Sequence, residues 1–77
     1  MKMITVRYFA SLREKLGKSE ETIDVEGISC VAEVWTQVSP EPLPVNTLVA
    51  INQEYVSWRQ PVSAGDEVAF FPPVTGG

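Results

Sequence analysis

The strongest constraint on this chain is a single apolar helical stripe. Val31, Val34, Trp35 and Val38 fall at i, i+3, i+4 and i+7 and so share one face of a helix. Ser29 is a candidate N-cap, which predicts a helix from Cys30 to Val38. Ser39-Pro40 ends it, because a residue preceding proline avoids the helical region. With 77 residues there is room for one domain and one small core. That stripe must find an apolar surface to cover, and the rest of the chain has to supply it.

The surface comes from segments that alternate. In Met3–Phe9, Ile4, Val6 and Tyr8 alternate with Thr5, Arg7 and Phe9, so a strand is predicted with Ile4 and Val6 facing the core. Ala10 to Leu16 reads as two helical turns with Leu12 and Leu16 four apart, stopped by Gly17. Thr22–Val25 and Leu48–Ile51 are predicted strands, and Asn52-Gln53-Glu54 is a turn into Tyr55-Val56-Ser57-Trp58. Residues 41–47, with Pro42 and Pro44, read as a stiff loop. Gly65-Asp66 is a turn before a last strand, Glu67–Phe71, with Val68 and Phe70 on one face and Ala69 and Phe71 on the other. Strand, strand, helix and further strands make two layers, a mixed sheet covered on one face by the helix. This α+β order is a β-grasp arrangement. Its first and last strands are expected to be parallel neighbours, which the crossover through the helix permits.

Composition excludes most chemistry. There are no histidines and only Cys30, so a disulfide framework is ruled out and only carboxylates remain for a metal, which are not at calcium-loop spacing. Cys30 reads as a buried structural thiol. A net charge of −4 disfavours nucleic acid and anionic membranes and favours basic protein surfaces. No stretch approaches the roughly 20 apolar residues of a membrane span. Lys2 and Arg7 interrupt the start where a signal peptide's apolar region would run, so the cytoplasm is the expected compartment.

The informative end is Phe70-Phe71-Pro72-Pro73-Val74-Thr75-Gly76-Gly77. Pro72 and Pro73 cannot donate to a ladder, so the domain is expected to span 1–71 and a flexible tail 72–77. Extended, the tail's six residues reach about 20 Å, enough to thread a channel in a partner. Gly76 and Gly77 carry no Cβ, so other backbones can approach them closely. The carboxylate of Gly77 is the one carboxyl expected on an unhindered arm. A small disordered tail would be the ordinary reading of a lone Gly-Gly; the rigid proline spacer behind an apolar strand favours function. Phe71, with Ala69 and Ala50 on the sheet face opposite the helix, is expected to form a docking patch beside Pro72, Pro73, Val74 and Thr75. The competing reading has Phe71 folding over the sheet edge.

Three segments together resemble a known family. Phe9-Ala10-Ser11-Leu12-Arg13-Glu14, Val49-Ala50-Ile51-Asn52-Gln53 and the run from Gly65-Asp66-Glu67-Val68 to Gly76-Gly77 are similar to the small subunit of molybdopterin synthase, the MoaD-type, ubiquitin-like sulfur carriers. The region from Gly27 to Thr47 carries no motif of that family. The resemblance implies that an E1-like enzyme uses ATP to adenylate Gly77 and that a sulfurtransferase system converts it to a thiocarboxylate. The charged tail then enters the large synthase subunit, in a heterotetramer, and gives sulfur to cyclic pyranopterin monophosphate to form the molybdopterin dithiolene. The groups that bind the pterin are expected on the large subunit, and no cofactor or metal on this chain. A carrier for thiamin, tRNA or cysteine synthesis, a protein modifier joined through Gly77, and an interaction domain with an inert tail are the competing readings.

Overall fold

The computed structural model describes residues 2–42 and 46–72. Five strands and two helices follow the order β1 (Met3–Tyr8), α1 (Ala10–Leu16), β2 (Glu20–Asp24), α2 (Val31–Val38), β3 (Leu48–Ile51), β4 (Glu54–Tyr55) and β5 (Glu67–Phe71). They form one sheet in the order β2-β1-β5-β3-β4. β1 and β5 are parallel, with Val6 opposite Val68 and Tyr8 opposite Phe70; the other pairings are antiparallel. The predicted mixed sheet with parallel first and last strands is therefore present.

Alternation in the sequence sets the layers. Ile4, Val6 and Tyr8 of β1, Val49 and Ile51 of β3, and Val68 and Phe70 of β5 are buried with Val31, Val34 and Trp35 of α2. Phe70 is the hub: it is fully buried, Trp35 meets its ring edge-on at 5.1 Å, and Trp58 stacks on it at 5.8 Å. Trp35 also donates through Nε1 to the carbonyl of Glu41 at 3.0 Å, so its one polar atom is satisfied. Val38 is half-buried and packs at the margin of this core.

Several expectations need correction. The N-cap of α2 is Cys30, not Ser29, and the helix starts at Val31. The Ser29 hydroxyl is engaged elsewhere: Ser29 donates to Glu33 Oε1 from its backbone N–H at 2.6 Å and its Oγ at 2.9 Å. Cys30 is half-buried rather than buried, because its residue sits at the helix mouth, where it bridges to Pro61. β2 runs Glu20–Asp24 instead of 22–25, its two glutamates being drawn into pairing with Arg7 and Val6. The turn after β3 is only Asn52-Gln53, both at positive φ, and Glu54 already belongs to β4.

A candidate docking face beside the tail

The sheet face away from α2 is where the predicted patch lies. Register places its outward residues in rows: Leu48 is opposite Phe71, and Ala50 is opposite both Ala69 and Tyr55. Arg7 is opposite Ala69 on one side and Glu20 on the other. Phe71, Ala69 and Ala50 thus share one face, as expected. The alanines are not open to solvent, however: Ala50 is 4% and Ala69 8% exposed. An alanine's short side chain on a pleated sheet lies below its longer neighbours, so larger side chains form the surface.

Those larger side chains are aromatic. Phe71 is half-buried, and its ring stacks on Phe9 with centroids 4.7 Å apart and planes 8° from parallel. Tyr55 lies on its other side, 6.0 Å away and tilted, and is 72% exposed. Phe71 therefore lies on the face between two rings rather than folding over an edge. Phe9 and Tyr55 are additions to the docking residues expected from the sequence. The available signal for Phe9 was an aromatic on the side of β1 that also carries Thr5 and Arg7.

Charge borders this aromatic band. Arg7 lies with its guanidinium carbon 5.5 Å from the Phe9 ring centre. Its Nη1 is 3.5 Å from Glu67 Oε2 and its Nε is 3.9 Å from Glu20 Oε1, distances of ion pairs rather than hydrogen bonds. The backbone of Glu67 is anchored separately, its N–H donating to Asn52 Oδ1 at 3.0 Å. Asn52 Nδ2 donates to Asp66 Oδ1 at 3.1 Å, and Asp66 Oδ2 accepts from the Ser63 N–H at 2.8 Å. Asp66 is thus a turn residue, as read from the sequence.

Pro72 follows β5 directly and is half-buried, next to Phe71. The expected tail residues Pro73, Val74, Thr75, Gly76 and Gly77 lie outside the described residues. Among the described residues no cluster of metal-ligating side chains occurs, and no helix is long and apolar enough to cross a membrane. A surface cleft of about 470 Å³ beside Trp35 and Trp58 has one carboxylate on its wall, Glu41, and that is paired to Lys15 at 3.6 Å.

A mixed five-stranded sheet with its first and last strands parallel and a helix across one face defines a ubiquitin-like β-grasp protein. Within that class, the chain belongs to the ThiS family, whose sequence pattern matches residues 6–77. It is 40% identical to the molybdopterin synthase sulfur carrier subunit of Escherichia coli (strain K12), over 97% of this chain and 100% of that protein. The small archaeal modifier protein 1 of H. volcanii superposes with a TM-score of 0.81 at 25% identity, covering 96% of this chain and 100% of that one. A subunit of the complex of subunits 1 and 2 of the molybdopterin-converting factor from Helicobacter pylori 26695 has the same fold. Its TM-score is 0.67 at 20% identity, with 97% and 99% of the chains covered.

Proposed function

We propose that this chain is a sulfur carrier in molybdenum cofactor biosynthesis. The observation that carries the reading is the end-to-end similarity to a sulfur carrier subunit of molybdopterin synthase. The aromatic band of Phe9, Phe71 and Tyr55, placed where β5 passes into Pro72, supports it physically. A tail that must deliver an atom into another protein needs a body surface to fix its direction, and a stacked aromatic group is a low-entropy anchor for one.

In this reading the carboxylate of Gly77 attacks the α-phosphorus of ATP in an E1-like enzyme, releasing pyrophosphate and leaving an acyl adenylate. A persulfide on a sulfurtransferase attacks the acyl carbon and displaces AMP, giving an acyl disulfide. A thiol then attacks the enzyme-side sulfur, so that the thiocarboxylate leaves and an enzyme disulfide forms. The band and Pro72 dock on the large synthase subunit while Gly76 and Gly77 enter its pocket. There the sulfur passes to cyclic pyranopterin monophosphate; a dithiolene holds two sulfurs, so two charged tails are consumed. The catalytic groups around the pterin belong to the large subunit, and the cytoplasm is the compartment for this chemistry.

The test is incubation with ATP, the cognate activating enzyme and a sulfur donor, followed by intact-mass measurement. Replacing oxygen by sulfur adds about 16 Da to the chain, as the elementary bookkeeping of the exchange requires. A second reading, a protein modifier, has the archaeal modifier's superposition in its favour. Appearance of the chain on lysines of larger proteins, with no thiocarboxylate formed, would decide for it.

A further inference from the structure

Beside the apolar band, the docking face carries three charged groups that do not cancel. Glu20 of β2 is directly opposite Arg7 of β1, Glu67 of β5 is opposite Thr5 and meets Arg7 diagonally, and the two carboxylates outnumber the one guanidinium. All three side chains are partly open to water. Arg7 lies against Phe9, so covering the band draws the triad toward the interface as well. Charged groups that lose water without a partner are costly, whereas a complementary charge opposite them restores the balance. One unit of negative charge is unmatched within the triad, and the whole chain carries −4.

We propose that the partner of this face presents an arginine or lysine opposite the Glu20–Arg7–Glu67 triad, and that this contact selects partners and accelerates docking. The inference rests on the docking reading of the Phe9–Phe71–Tyr55 band and adds to it the chemistry of the surface that fits. The band sets where the partner sits; the triad sets which charge it must bring. Arg7 draws the two carboxylates near one another and close to the band, so the incoming cation meets both together. The contact is at the border of the band, so it acts mainly on the association rate and on its dependence on salt.

The experiment measures association of the intact chain with the large subunit of molybdopterin synthase from the same source, across ionic strengths. Glu20→Gln, Glu67→Gln, Arg7→Leu and Phe71→Ala are compared, with thermal melts verifying that each is folded. Each glutamine variant is expected to slow association about threefold to tenfold at low salt and to flatten the salt dependence, with little effect once the Debye length falls to about 3 Å at 1 M. Arg7→Leu leaves two unneutralised carboxylates and is expected to associate faster at low salt. The reverse pattern, faster with glutamine and slower with Arg7→Leu, would show that the partner brings an anion and would overturn the proposal. Rates that match the parent's at every ionic strength in all three charge variants would overturn it too. Phe71→Ala separates the two ideas: if it binds like the parent, the docking reading itself is lost; if it weakens binding while the charge variants change nothing, only the triad inference is lost.

Discussion

Phe9, one residue past the first strand, and Phe71, the last residue of the fifth, stack ring on ring at 4.7 Å. The stack ties the two central strands together on the open face, at the point where the chain leaves the sheet for Pro72. Aromatic pairs contribute about 0.5–1.5 kcal/mol beyond the area they bury. Neither ring is in the main core; both are half-buried on the sheet's open face.

Adjacent phenylalanines should therefore fail in different ways. Phe70→Ala removes a side chain with 0% exposure from the centre of the core. The expected cost is about 3–5 kcal/mol, against a total of about 4–12 kcal/mol for a domain of this size. Phe71→Ala should keep the fold and weaken docking to the large subunit by about 30-fold, the effect of an interface residue worth about 2 kcal/mol. Denaturant titration and a binding isotherm, run on both variants, separate the two; equal loss of stability would contradict the assignment of faces.

The tail variants test the carrier chemistry. Deleting Gly77 moves the acyl group back by about 3.5 Å, and a misplacement of about 1 Å already costs about a hundredfold in rate. Gly76→Val adds a branched side chain where a pocket must close on bare backbone. Extending the chain past Gly77 converts the reactive carboxyl to an amide. All three should melt like the parent and fail to support dithiolene formation in a reconstituted synthase. Normal product from the Gly77 deletion would remove the central claim.

Much of this was legible in the residues, for a physical reason. β1, α1, α2 and β5 each bury a regular subset of side chains, and that periodicity is local: Leu12, Val34 and Val68 announce their faces without reference to distant partners. The parallel pairing was expected from the β-grasp order of elements, the helical crossover permitting it. What the sequence hid is non-local. Phe9's stacking on Phe71 depends on a pairing between opposite ends of the chain, and Tyr55's place depends on the register of a two-residue strand. The cap was misplaced by one residue because Ser29 and Glu33 satisfy each other, leaving Cys30 to open the helix.

The hairpin turn offers a stabilising change. Gln53 has φ of 72° and Asn52 has φ of 51°, left-handed conformations that cost a residue with a side chain about 1 kcal/mol. Asn52 uses its amide to hold Asp66 and Glu67, so it should be kept. Gln53→Gly should raise the melting temperature by about 4–8 °C, the shift expected from about 1 kcal/mol in a small domain. A lower melting temperature would show that the Gln53 side chain contributes more than its backbone costs.

Two groups predict how stability responds to pH. Burial, with the hydrogen bond to Glu21 and that group's charge, raises the Tyr8 hydroxyl well above the usual tyrosine range. It stays protonated in the folded chain while the unfolded chain ionises near pH 10. Stability from this group is therefore full below about pH 10 and falls as pH rises beyond it; Tyr8→Phe should make the alkaline limb shallower. Glu33 is opposite in sign: donation from Ser29's backbone and hydroxyl, and from the backbone of Cys30, lowers its pKa. Its contribution is present above the ordinary carboxylate range and disappears as pH falls through the depressed value. Glu33→Gln should melt lower than the parent at neutral pH, with the gap closing in acid, as followed by circular dichroism.

The parallel pair at the centre of the sheet joins residues 3–8 to residues 67–71. A chain leaving the ribosome therefore lacks the middle strand of this sheet until residues 67–71 have been made. α2 can coil early, yet its apolar stripe has only an unfinished sheet to rest on until β5 arrives. Such long-range closure is intrinsically slow, and it makes maturation all-or-none with respect to synthesis. Chains interrupted before residue 67 lack both Phe71 and the strand that carries it, so topology alone keeps an unfinished chain from assembling the aromatic band on the open face.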